Sequence, residues 1–162
     1  MTPAVQAVRR AKMIHTLHAY THDPRAASYG LEAAEKLGVP EAQVFKTLVV
    51  LLDGRQLAVG VVPVRDRLDM KAMAKALSAK KAEMAAAGDV ERATGYVLGG
   101  VSPLGQKKRL PTVIDRSALD YPLIYVSAGR RGLDISLSPE DLGRLTAAVF
   151  TDIVQGTSAG EG

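Results

Sequence analysis

Val44-Phe45-Lys46-Thr47-Leu48-Val49-Val50-Leu51-Leu52 is followed at once by Asp53-Gly54, and then by Leu57-Ala58-Val59-Gly60-Val61-Val62. Eight of the first nine residues are apolar or β-branched, and the other is a lysine. Such a run reads as a buried strand. Asp-Gly between two runs of this kind is a strong hairpin signal. The centre of the domain is therefore a β-hairpin with Lys46 at its mouth. A lysine there is costly to bury without a partner or a job. Two readings fit it: an ammonium that snorkels to solvent along its stem, or a fixed cation at the edge of a pocket, aimed at a ligand oxygen. Periodicity alone does not separate them.

Outward from the hairpin, the pattern alternates between helix and strand. Thr2-Pro3 is a cap followed by Pro at the first helical position, giving a helix over 3–12. Residues 13–20 read as a strand, and Thr21-His22-Asp23-Pro24 as a turn. Ser28 caps a helix to Leu37 that Gly38 ends. Pro40 opens a short helical turn that delivers the chain to Lys46. Asp69 caps a helix through Met70, Met73 and Leu77, spaced for one buried face. The Ala- and Glu-rich segment 80–94 reads as helical, with Asp89 as a second cap. A glycine-rich loop spans Gly95 to Leu110. Strands follow at 112–114, 123–127 and 133–137, the last two joined by Gly129-Arg130-Arg131-Gly132. Ser138-Pro139-Glu140-Asp141 opens a helix to about Ala148. Asp152-Ile153-Val154 reads as a last strand, and 156–162 as a flexible tail. Residues 1–155 are thus expected to form one α/β domain: a mixed, mostly antiparallel, barrel-like sheet with surrounding helices.

Composition narrows the chemistry. The 162 residues include no Cys and no Trp, and aromatics make up only 4%. Disulfides, thiolate metal sites and cysteine nucleophiles are excluded together. A net charge of +4 permits a polyanionic partner without demanding one. No apolar run reaches the roughly 18 residues of a membrane span, and the start lacks the pattern of a signal peptide. The expectation is a cytoplasmic protein that does not engage a membrane.

Several motifs fail on inspection. Gly100 to Gly105 has the glycine spacing of a P-loop, but Gln106 stands where lysine is required, which rules out a nucleotide hydrolase. What remains is a loop whose backbone can approach a ligand closely and offer N–H groups to a carboxylate or oxyanion, or else an ordinary wide turn. Ser127 is not in a nucleophile elbow, because Tyr125 occupies the glycine position and no histidine follows residue 22. His15, His18 and His22 fall on a strand and a turn rather than on one helix face, so no metal is expected there. Lys107-Lys108-Arg109 and Arg130-Arg131 are basic clusters that would make a cationic rim if their loops adjoined. Asp134 alternates with Leu133 and Ile135, so it is either a solvent-facing carboxylate or part of a cleft beside Lys46.

Tyr20 to Pro24, Val44 to Leu48, Gly95 to Lys108 and Tyr125 to Ile135 together resemble the YbaK/EbsC family. Its members are free-standing relatives of the editing insertion of bacterial prolyl-tRNA synthetases. The resemblance runs in order over nearly the whole chain and is closest to the YbaK branch, the Cys-tRNA(Pro) deacylases. It implies trans-editing: cleavage of the ester between a wrong amino acid and the 3′ end of tRNA, Cys-tRNA(Pro) being the implied substrate. Prolyl-tRNA synthetase is the implied transient partner, and no cofactor is implied. Lys46 matches the family's functional lysine, and Gly99 to Pro103 its G-x-x-x-P loop. Tyr20, Ser127 and Asp134 fall at pocket positions. The expected catalytic set is Lys46, Gly99, Gly100, Tyr20 and Asp134. Ser102, Pro103, Ser127, Phe45 and Thr47 are expected to contact substrate. Homologues of this branch are thought to let the substrate thiol attack the ester. Lys46 would then be a clamp on the tRNA end rather than a base or nucleophile. The competing expectations are a deacylase for Ala-, Pro- or Ser-tRNA and a non-catalytic tRNA-binding module.

Overall fold

A computed structural model describes residues 1–26 and 28–156. The quoted stretch forms β2 (Phe45–Leu52) and β3 (Gln56–Pro63), paired antiparallel from Phe45↔Pro63 to Leu52↔Gln56. Asp53 and Gly54 turn the hairpin with φ of 50° and 68°, and Arg55 N–H donates to Leu52 O at 2.9 Å. Positive φ at both central residues gives the turn the same twist as the strands it joins.

Around the hairpin lie α1 (Pro3–Arg10), β1 (Thr16–Ala19), α2 (Tyr29–Leu37), α3 (Met70–Ala76), β4 (Ala82–Met84), α4 (Ala87–Thr94), β5 (Thr112–Asp115), β6 (Ile124–Arg130), β7 (Leu133–Leu137), α5 (Pro139–Thr146) and β8 (Val149–Thr151). The expected caps close four helices: Thr2, Ser28, Asp69 and Ser138 each accept a backbone N–H from the first turn. One sheet has the order β4-β2-β3-β5-β8, the other β1-β7-β6. The β3–β5 and β5–β8 pairs are parallel, and the remaining pairs antiparallel.

The mixed, mostly antiparallel α/β class is as expected. The barrel-like closure is not. Among the described residues the two sheets touch edge to edge only through the isolated bridge Val44↔Tyr125. A barrel needs a continuous ladder around its circumference, and a single bridge does not supply one.

Two cores flank β2, which explains its nearly unbroken apolar run. Phe45 and Val49 join the larger core between the sheets, with Val59, Ile114, Ile124, Val126, Ile135 and Leu142. Val50 and Leu52 join a second core beneath α3, with Val62, Met73 and Ile153.

Two local expectations are corrected. Segment 80–94 is not one helix. Asp53 Oδ1 accepts the N–H groups of Lys80 and Lys81 at 3.0 and 2.9 Å, which sets Ala82–Met84 against β2 as an edge strand. Tertiary pairing outweighs the helix propensity of alanine here. Asp89 then lies inside the first turn of α4, whose cap is Ala86 with no side-chain bond. The last strand is Val149–Thr151, not 152–154. Ala147 ends α5 in the left-handed conformation, so the chain reaches β5 three residues earlier, and Val154 makes only a bridge to Leu68. Residues 157–162 of the expected tail lie outside the described residues. No helix among the described residues is long and apolar enough to cross a membrane.

Candidate active site

A cavity of about 310 Å³ opens where β1, α2, β2, the glycine-rich loop and the β6–β7 hairpin converge. Its wall includes Tyr20, Tyr29, Lys46, Thr47, Gly99, Val101, Ser127, Arg130, Arg131 and Asp134.

Lys46 is half-buried at the start of β2. Its Nζ reaches Val64 O at 3.4 Å, and it forms no salt bridge among the described residues. Burial lowers its pKa; Asp66 opposes that and Arg67 adds to it. The ammonium therefore keeps donors free for a ligand. Next to it, Thr47 Oγ1 is buried and has no hydrogen-bond partner among the described residues. An orphaned buried hydroxyl is destabilising unless something occupies the space beside it.

Asp134 is only 5% exposed. It sits opposite Ser127 and His18 in the strand ladders, and no side-chain hydrogen bond to it is found among the described residues. Burial without a partner raises its pKa to about 7. Tyr20 is pushed up to about 12, by burial first and then by the charge of Asp134, so its hydroxyl stays a donor at neutral pH. Ser127 Oγ accepts the Gly129 N–H at 3.1 Å, and no histidine lines the cavity to take its proton.

The glycine-rich loop is held by its own side chains. Tyr96 Oη donates to Leu104 O at 2.6 Å, Leu104 N–H to Ser102 Oγ at 3.2 Å, and Gln106 Nε2 to Ser102 O at 2.9 Å. Gly105 has φ +68°, and a Cβ there would lie 2.5 Å from Pro3 O at the start of α1. Gly105→Ala is therefore expected to destabilise the fold by ~1–3 kcal/mol, read as a lower urea midpoint. An unchanged midpoint would mean that α1 does not pin the loop. At the cavity end, Gly99 has φ +89°, and a Cβ there would lie 2.5 Å from the Tyr29 ring and 2.8 Å from the Arg131 guanidinium. The Arg131 guanidinium lies 3.8 Å from the centroid of the Tyr29 ring and donates to Leu98 O at 3.5 Å.

Behind Tyr29 is a buried pair. Glu32 Oε1 lies 2.7 Å from His22 Nδ1, and its Oε2 accepts Asp23 N–H at 2.6 Å. Burial pushes the Glu32 pKa up, but the Asp23 N–H and His22 outweigh it and the net shift is downward. The pair ties the turn after β1 to α2.

The family model described as "Aminoacyl-tRNA editing domain" matches residues 23–145, well over half of the chain. The chain belongs to the aminoacyl-tRNA editing domain family. A protein of Enterococcus faecalis named "Putative Cys-tRNA(Pro)/Cys-tRNA(Cys) deacylase EbsC" is 44% identical over 120 residues, covering 74% of this chain and 73% of that one. A proline–tRNA ligase of Acidithiobacillus ferrooxidans is 31% identical over 127 residues, covering 77% of this chain but 22% of the ligase. A crystal structure of a "putative trans-editing enzyme for prolyl tRNA synthetase" superposes with a TM-score of 0.83 at 24% identity, over 95% of this chain and 96% of that one. That last likeness speaks to the fold.

In this editing domain, Lys46, Tyr20, Asp134, Gly99, Ser127 and Thr47 share one cavity. The other expected site residues lie elsewhere. Phe45 points into the core between the sheets, as the alternation of β2 requires once Lys46 faces the other way. Ser102 is fully buried and braces the loop. Pro103 lines a different cavity. The Gly100 N–H is not available to a substrate, because it donates to Val97 O at 3.0 Å. Leu98, Gly99 and Val101 line the cavity, and no hydrogen bond from their N–H groups is found among the described residues. The two basic clusters do not form a common rim: Arg130 and Arg131 line this cavity, whereas Lys108 and Arg109 line the other. Sequence reasoning missed Tyr29, Val101 and Glu32. Tyr29 and Glu32 read only as residues of a capped helix, and Val101 as filler between glycines.

Proposed function

We propose that this editing domain removes a wrongly attached amino acid from tRNA, with cysteinyl-tRNA(Pro) as substrate and prolyl-tRNA synthetase as a transient partner. The observation that carries the reading is the cavity's own inventory. It holds a cation without a carboxylate partner and a carboxyl group without a hydrogen bond among the described residues, it is edged by the loop residues Gly99 and Val101, and its lining contains no histidine or cysteine. Such a site can orient and neutralise but supplies no side-chain nucleophile. An aminoacyl ester needs little more than that.

The groups divide by charge. Lys46 binds the phosphate or ribose end of the terminal nucleotide. Asp134, when ionised, binds the α-ammonium. The N–H groups of Gly99 and Val101 receive the oxyanion. The substrate thiol attacks the carbonyl carbon. A carbon–sulfur bond forms, the carbon–O3′ bond breaks, and the thiol proton passes to the ribose oxygen. The thiolactone leaves and is hydrolysed by water. The similarity to a protein named as a Cys-tRNA(Pro)/Cys-tRNA(Cys) deacylase supports the choice of cysteine.

Single-turnover deacylation of Cys-, Pro-, Ala- and Ser-tRNA tests the reading. Cys-tRNA is expected to react fastest, and S-methylcysteinyl-tRNA roughly 10²-fold more slowly, since the intramolecular nucleophile is lost. Equal rates for the two would sink thiol attack and leave water as the nucleophile. No deacylation of any of them would sink the enzyme reading in favour of a binding module.

A further inference from the structure

The second cavity, about 450 Å³, lies on the far side of the glycine-rich loop. Its wall carries Arg10 from the last turn of α1 together with Lys108 and Arg109 from the end of the loop, and no Asp or Glu. All three are exposed. Arg65, Arg92, Arg116 and Arg144 each stand beside a carboxylate, but Arg10, Lys108 and Arg109 have no such partner among the described residues. Arg109 is steadied instead by Leu145 O at 3.5 Å. On a chain of net charge +4, this is a local concentration of uncompensated positive charge. It has the character of a polyanion site.

We infer that this groove holds the phosphate backbone of the same RNA whose 3′ end enters the Lys46 cavity. The inference rests on the function proposed above. Two features favour backbone over bases. No aromatic residue lines the groove, so bases have nothing to stack on. The one side-chain amide in the wall, Gln106, is spent on Ser102 O at 2.9 Å, so the charges left to meet RNA are arginine and lysine, the usual partners of phosphate. Continuity with the catalytic cavity comes from the loop itself. Val101 lines one cavity and Pro103 the other. Residues two apart are separated by at most about 7 Å. One strand of RNA leaving the ester site over this loop meets the groove next.

The test is the variant R10A/K108A/R109A, compared with wild type on full-length Cys-tRNA and on 3′-cysteinyl-adenosine, which has no backbone. With the tRNA, KM is expected to rise roughly 10–100-fold at constant kcat, and the slope of log KM against log salt to fall by up to about 3. With the nucleoside ester, the rate should not change. An unchanged KM and salt slope overturns the inference. So does an equal loss on the nucleoside ester, which would place the damage in the catalytic cavity. If only stimulation by added synthetase is lost, the groove binds an acidic protein surface, and the RNA assignment is wrong. Filter binding of uncharged tRNA reads the groove without catalysis. Weaker, less salt-sensitive binding by the variant supports the inference even if wild type deacylates nothing.

Discussion

Lys46→Ala lowers kcat/KM for deacylation by roughly 10²–10³-fold, the loss usual when one positioned charge or donor is removed from a preorganised site. The expected stability cost is small. Lys46 is half-buried, and among the described residues the one hydrogen bond of its side chain is the 3.4 Å contact to Val64 O. A surface-edge bond of that length contributes little. Single-turnover deacylation and a thermal melt on the same sample check both halves. Lys46→Arg should not restore the rate, because the guanidinium is larger, planar and differently hydrated. Normal deacylation by the alanine variant would remove Lys46 from the machinery. Collapse of the fold would assign it to structure instead.

The second large effect is at Asp134, and it depends on pH. With a pKa near 7, the carboxyl is mostly neutral at pH 6 and mostly ionised at pH 8. If the ionised form holds the substrate ammonium, its contribution to kcat/KM grows roughly tenfold across that interval. Asp134→Asn is expected to be slow throughout and to lack this rise. The ratio of wild type to variant against pH isolates Asp134 from the titration of the substrate's own amine. A constant ratio would refute the role.

Stability runs the other way. The folded pKa lies above the ordinary value of 3.8, so the native state binds the proton more tightly than the unfolded chain. The associated stability is fully present below about pH 4 and is lost as pH rises through about 7. Replacement by neutral asparagine should therefore stabilise the protein at pH 8, by ~1–4 kcal/mol, while abolishing most activity. Denaturant melts at pH 5 and pH 8 measure the difference.

The sequence was informative where one local rule acted alone. The β2–β3 hairpin followed from Asp53-Gly54 and its apolar flanks, and four helix starts followed from Thr2, Ser28, Asp69 and Ser138. It failed where a distant partner decided. β4 exists because Asp53, about thirty positions earlier in the chain, captures the amides of Lys80 and Lys81, and no pattern within 80–94 reports that. Closure of the sheets was overestimated because pairing between edges is a long-range property. At the site, the types of residue were legible and their directions were not. Phe45 and Lys46 are adjacent in sequence, yet strand alternation sends one to the core and the other to the cavity. Gly100 belongs with Gly99 to the expected catalytic set, but its N–H is spent on Val97. Asp134 could be assigned to a cleft or to solvent only once β7 was seen buried along its whole length.

The bracing of the glycine-rich loop has an entropic consequence. Fixing a backbone residue costs about 1–2 kcal/mol. Tyr96, Ser102, Gln106 and the Pro3 carbonyl fix this loop during folding, so the cost is not incurred again at each turnover. If the ester sits in the Lys46 cavity as proposed, this wall is already set when it arrives. The same stiffness would then deny the loop any adjustment to a bulkier aminoacyl group, and the wall would discriminate between substrates by being unable to move.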